Sequence, residues 1–365
     1  MKKVIVIFIL VLMLAAAVGA MIILSKRSAQ VITQERAVEE QKKTEEQKKQ
    51  DPLKRLSGQP ALGFWFSQDT LYYLNGAGQI YSVNIQNGEE KQVSSYAIEN
   101  VRAITPSAKG DGALITFSDR GENLVSMYRV AENSWTPLDK NIRSAAWSPD
   151  GQWLAQLRET FGGVLVLELV KLSGGERTEL ARLSMRDARL TWIGGQQLIV
   201  SSPPSKDFPA PALTINVLTK TVSPLALEKP GLSFAWSASG KQALAFWVDD
   251  NGKNQTALVN DSGVVLKNFQ TPLLPHKCAF SGEQQLYCGV PANVNLATVA
   301  DLPDAYLMQK VRLVDHVALV DAQTSRLKII FSRQEPSLDI YKPHVHDNKL
   351  FFINRYDGAI YSLEL

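Results

Sequence analysis

Five cations recur at one place in a repeating pattern. Arg102, Arg143, Arg189, Lys277 and Lys342 each stand two to four residues before the central residue of a small–aromatic–polar triplet or its degenerate copy. If every triplet occupies the same place in a repeated unit, these cations surround a single opening. A ring of one sign would focus a field there and draw in an anion. The competing reading is ordinary surface charge that only solvates the chain. Cys278 and Cys288 flank a turn near Gly282-Glu283. Residues equidistant from a hairpin turn face each other, so the pair is expected to form a disulfide in an oxidising compartment. Two reduced, buried cysteines are the alternative. His344 and His346 share one face of a strand and could start a metal site, but no third ligand accompanies them. Asp249-Asp250-Asn251-Gly252 has the look of a calcium loop, yet the later bidentate Glu is missing, so it reads as a turn.

Other chemistry is absent from the sequence. There is no Gly-x-Ser-x-Gly elbow and no phosphate-cradling glycine loop. Ser148-Pro149-Asp150-Gly151 puts its glycine one place too early for a sialidase box, and that box does not recur. A net charge of +3 carries no signal of nucleic-acid binding, which would show as a dense basic patch. No cofactor, metal or catalytic activity is expected. The 45% hydrophobic content supplies ample core.

The elements that would position these residues follow from the repeat. Ala146-Trp147-Ser148-Pro149-Asp150-Gly151 returns as Ala235-Trp236-Ser237-Ala238-Ser239-Gly240 and, weaker, as Ala279-Phe280-Ser281-Gly282. The full series adds Trp65-Phe66-Ser67, Ala103-Ile104-Thr105, Thr191-Trp192-Ile193 and His344-Val345-His346. Successive anchors lie about 38 to 45 residues apart, the last step about 65, the spacing of one four-stranded blade per repeat. In the third unit the strands are predicted at 144–148, 153–157, 164–169 and 177–183, with Pro149-Asp150-Gly151 as the first turn. In the first unit Asn87-Gly88 is a hairpin signal between 79–85 and 90–93. Seven anchors predict an all-β, seven-bladed β-propeller of four-stranded antiparallel blades over 53–365. A β-sandwich would suit the strand spacing but not one period sustained over this length. The last unit lacks an outer strand, which 53–62 is expected to supply.

The Trp-Ser-Pro-Asp-Gly anchor and the third strand Ile80-Tyr81-Ser82-Val83-Asn84-Ile85 resemble TolB-type, WD-repeat-like propellers. Leu350-Phe351-Phe352-Ile353-Asn354-Arg355, Ile360-Tyr361-Ser362-Leu363 and Leu302-Pro303-Asp304-Ala305-Tyr306 resemble the membrane-anchored bacterial kind. The resemblance implies a fold and little about a ligand. The anchor's Asp occurs only once, as Asp150.

The amino-terminal end implies placement. Val4–Leu24 is an unbroken apolar run, long enough for a transmembrane helix. Val18-Gly19-Ala20 would suit a signal peptidase, but the run continues past it, so 1–27 reads as an uncleaved signal-anchor. The short N-tail is read as cytoplasmic and the propeller as extracytoplasmic, although the flanking charges are nearly balanced. Residues 28–52 are rich in Glu, Lys and Gln, and Glu39/Lys43 and Glu45/Lys49 are favourable helical pairs, so this stretch reads as a charged helical stalk.

Four long loops, 158–163, 201–211, 249–255 and 291–306, fall between the second and third strands of their blades, on the face where first strands begin. Variable loops on one face of a rigid scaffold are where recognition usually sits. The expected role is non-catalytic binding or scaffolding at a cell envelope, toward an envelope protein or an anionic polymer, with the membrane as a further partner and no nucleic acid. A glycan hydrolase at the channel mouth is the alternative and would need carboxylates there. An assembly factor docking through its loops would show an exposed apolar patch on the loop face.

Overall fold

The computed structural model describes residues 51–365. Seven four-stranded antiparallel sheets follow one another along the chain, six of them ordered by sequence from innermost to outermost strand and the seventh completed by a strand from the amino-terminal side. They are the blades of a seven-bladed β-propeller. The innermost strands are Ala61–Ser67, Val101–Pro106, Ile142–Trp147, Arg189–Ile193, Ser233–Trp236, Cys278–Ser281 and Ile340–His346. Each anchor triplet lies in or at the end of one of these strands. The expected transmembrane helix and stalk lie outside the described residues. Among the described residues no helix is long and apolar enough to cross a membrane.

The anchor makes the first turn of its blade through side chains. The Ser148 hydroxyl donates to Asp150 Oδ1 at 2.5 Å and accepts from the Trp153 amide at 2.9 Å. Gly151 takes φ +70°, a conformation that costs a glycine little. In the fifth blade Gly240 meets its neighbour so closely that a Cβ would stand 2.4 Å from the Gly194 nitrogen. Glycine thus also sets the spacing between adjacent blades.

The core is divided among the blade junctions. Leu157, Leu165 and Leu167 of the third blade pack on Leu190, Leu198 and Val200 of the fourth. Leu71 and Tyr73 of the first pack on Phe351, Ile353 and Ile360 of the seventh. Middle strands are therefore buried on both faces, as in Gln242–Val248, and are apolar nearly throughout.

The ring closes with its own amino-terminal strand. Leu53–Arg55 pairs with Ile360–Glu364 and is the outermost strand of the seventh blade. The closing strand is shorter than the expected 53–62, because Ala61 already begins the first blade. Leu53 is buried against Leu350 and Leu363, and the Ser57 hydroxyl accepts from the Ile360 amide at 2.9 Å.

Candidate functional site

Four innermost strands share a local irregularity at their entry. The pairing slips between Ala61 and Gly63, between Val101 and Ala103, between Ile142 and Ser144, and between Tyr341 and His344. Each slip is a β-bulge, a device that re-aims a side chain. The residues it frees are Leu62, Arg102, Arg143 and Lys342 in blades one, two, three and seven. Lys342 additionally takes φ +49°, which a non-glycine residue rarely adopts.

Leu62, Arg102 and Lys342 line one cavity of about 380 Å³ at the entry to the first strands. Tyr306, Tyr341 and Arg355 complete its polar wall, and Ile104 and Ile353 are among its apolar residues. The Lys342 Nζ donates to Leu62 O at 3.0 Å and stands 5.3 Å from the Tyr341 ring centre. Burial pushes the Lys342 ammonium down to about 8.

The expected ring of five is corrected to an arc. Arg102 and Lys342 face the cavity together. Arg143 occupies the equivalent bulge but folds back on Glu159 at 2.6 Å, because an acid stands opposite it. Arg189 is exposed at the start of an unbulged strand, and its charge helps to depress His276. Lys277 does not face the channel. It is fully buried, with Nζ 2.6 Å from Asp315 Oδ2 and 2.5 Å from Asp339 Oδ1.

This buried cluster ties the sixth-blade insertion to the ring. The insertion, residues 292–314, carries a 3₁₀ turn, Leu296–Thr298, and one helical turn, Asp304–Leu307. Tyr306 is buried, accepts from Lys277 Nζ at 3.2 Å, and places its hydroxyl 3.1 Å from both Asp339 Oδ1 and Ile340 O. The Arg355 guanidinium lies 4.0 Å from the Tyr306 ring centre and donates to Tyr306 O at 3.0 Å. Burial pulls the Lys277 ammonium down, but Asp315, Tyr306 and Asp339 more than offset it, so the net shift is upward. Burial pushes Asp315 up to about 6, against the pull of Lys277. Beside the cluster, burial and then the charges of Lys342 and Arg189 hold His276 down at about 4.

The insertion is a packed part of the loop face. Asn254 of the fifth blade donates to Leu296 O at 2.6 Å and Val299 O at 2.9 Å. The fourth-blade loop reaches it as well. The Lys206 amide donates to Asp304 Oδ2 at 3.2 Å, and Lys206 Nζ lies 3.3 Å from Asp301. Arg355 and Tyr306 escaped the alignment of first strands. Both stand in stretches quoted for the family resemblance, but neither precedes an anchor.

The remaining candidates resolve as follows. The sulfurs of Cys278 and Cys288 are bonded, across directly paired positions with Cα atoms 4.1 Å apart. His344 and His346 stack on Phe66, with ring centres 5.4 and 4.3 Å away. Asp249 Oδ1 accepts the amides of Asn251 and Lys253, both at 2.9 Å, and so closes a turn on itself. Among the described residues no group of three His, Cys, Asp or Glu is placed to hold a metal ion.

No protein-family model matches the chain. It is 28% identical over 153 residues to an uncharacterised WD repeat-containing protein of Schizosaccharomyces pombe, a match covering 40% of this chain and 29% of that protein. The matched segment is thus less than a third of that relative's length. An oligogalacturonate lyase from Vibrio parahaemolyticus superposes with a TM-score of 0.57 at 11% identity, covering 86% of this chain and 93% of that one. The propeller domain of Cps50 (Swd1) from Myceliophteria thermophila superposes at 0.56 and 12% identity, covering 86% and 99%. The propeller domain of the Trilobed protease from Pyrococcus furiosus gives 0.54 at 12%, covering 83% and 95%. At such identities the likeness is one of fold alone. The chain is a seven-bladed, WD-repeat-like β-propeller, closed by its own amino-terminal strand.

Proposed function

We propose that this protein is a non-catalytic docking module, anchored in a membrane by Val4–Leu24, that seats a protein of the cell envelope on its loop face. One observation carries the proposal. Phe161, Phe208, Met308 and Tyr356 stand exposed at the tips of loops from the third, fourth, sixth and seventh blades. All four loops join second to third strands and so lie on one face. Large apolar side chains held out at one face mark interaction surfaces. The loops that carry Phe208 and Met308 are joined by Lys206 and its acidic partners, which limits the entropy lost when a partner orders them. Glycan hydrolysis in the mouth cavity has less support, since its lining carries neither Asp nor Glu and that chemistry needs a carboxylate pair.

Pull-down from solubilised membranes with the full chain tests the reading. The triple variant Phe161→Ser, Phe208→Ser and Met308→Ser should lose the captured protein while keeping the melting temperature. Equal capture by the variant overturns the docking face. Carbonate washing should leave the full chain in the membrane, and protease should digest the propeller once only the outer layers are opened. Protection until the inner membrane is lysed would overturn the orientation.

A further inference from the structure

The mouth cavity gathers cations without their usual partners. Several cations elsewhere in the ring meet acids: Arg143 meets Glu159, Arg158 and Arg177 share Glu168, and Lys206 meets Asp207 and Asp301. Arg102 and Lys342 have no ion pair among the described residues, and the cavity lining contains no acid. Arg355 touches Asp339 only at 3.8 Å, and its buried Nη1 has no hydrogen-bond partner. Three cations converging on a half-enclosed space repel one another and lose hydration. The fold nevertheless holds two of them there by the same device, a bulge at equivalent places in the two blades that flank the first. In Lys342 the bulge is combined with left-handed backbone.

We propose that this cavity is a binding site for a small organic dianion, a dicarboxylate or a phosphate monoester. Arg102 and Lys342 supply the charge at its entrance, Arg355 the cation against the insertion, and Leu62, Ile104 and Ile353 the wall for the carbon skeleton. A volume of about 380 Å³ admits a metabolite-sized molecule and excludes a folded chain. This ligand is additional to the docked protein and does not depend on it.

The site makes a pH-dependent prediction. Lys342 loses its proton near pH 8 when the cavity is empty, so affinity should fall as pH rises through and above that value. The charged and titratable groups around it are Tyr306, Tyr341, His276, Arg102, Arg189 and Arg355. An arginine side chain does not titrate in this range, burial raises Tyr306 and Tyr341, and His276 is neutral above about 4. The change above pH 8 therefore belongs to Lys342.

Calorimetric titration of the detergent-solubilised full chain, at fixed ionic strength, uses succinate, glycerol 3-phosphate and acetate as probes. One of the two dianions should bind saturably, at least about tenfold more tightly than acetate, and which one binds identifies the class. Arg102→Ala and Lys342→Met should each weaken binding about tenfold or more, and Lys342→Arg should restore it and remove the decline above pH 8. Arg102 is exposed, so its substitution leaves folding intact and keeps the test decisive if Lys342→Met unfolds. Absence of dianion binding at 10 mM, on the order of the weakest affinity that charge alone would give, overturns the site. So does an equal loss in Arg143→Ala, which would reduce the effect to general surface charge. Neither result touches capture of a partner by the loop tips, so the two readings fail separately.

Discussion

Lys277 shows how a local pattern misleads about a side chain. It precedes its anchor as the other cations do, yet it neutralises Asp315 and Asp339, the latter 62 positions along the chain. Nothing near Lys277 announces those acids; the packing of the sixth blade against the seventh delivers them. Arg102 and Lys342 could be placed from the sequence, because anchor spacing alone locates the entry to a first strand. The bulge that frees them could not, since it is a mismatch with the next strand. Lys277→Met keeps most of the side-chain volume and leaves buried carboxylates without their cation. It should cost about 3–5 kcal/mol, the penalty for removing one partner of a buried pair. Denaturant unfolding of the full chain reads this directly. A loss below about 1 kcal/mol, the scale of an exposed ion pair, would return Lys277 to the surface.

At the scale of elements, the blades were legible because each is a local unit that carries its own turn residues. In the third blade the outer strand, Arg177–Leu183, has the bounds its sequence suggested. The inner strand begins two residues earlier than expected, at Ile142, because the bulge interrupts its alternation. The sixth-blade insertion was not legible. It has no period, and Leu296, Leu302 and Tyr306 find their places by packing against Phe246 and Leu274 of other segments. The disulfide lies in the same blade and spans 10 residues between paired strands. So short a closed loop should add stability at or below roughly 3 kcal/mol. Non-reducing mass spectrometry of freshly isolated protein should find Cys278 and Cys288 linked, and two free thiols would count against both the bond and the extracytoplasmic placement.

At the scale of the whole molecule, closure depends on very few residues. Leu53, Lys54 and Arg55 pair with Leu363, Ser362 and Tyr361, and only Leu53 is buried. Leu53→Asp should destabilise the full chain by roughly 2–4 kcal/mol through the lost apolar contact and a buried charge. Limited proteolysis should then cut ahead of Ala61, and an uncut, equally stable variant would show that the ring closes without this strand. The direction of the strand has a mechanical consequence. The third strand of the seventh blade starts at the loop face, so Leu53, opposite its far end at Leu363, enters from the other face. Antiparallel hydrogen bonds run perpendicular to their strands. A pull along the chain from the amino-terminal side therefore acts parallel to the closing strand and loads its bonds together in shear, rather than peeling them one by one. The same three residues join the first blade to the last, so a force along them is borne by the closure of the ring itself.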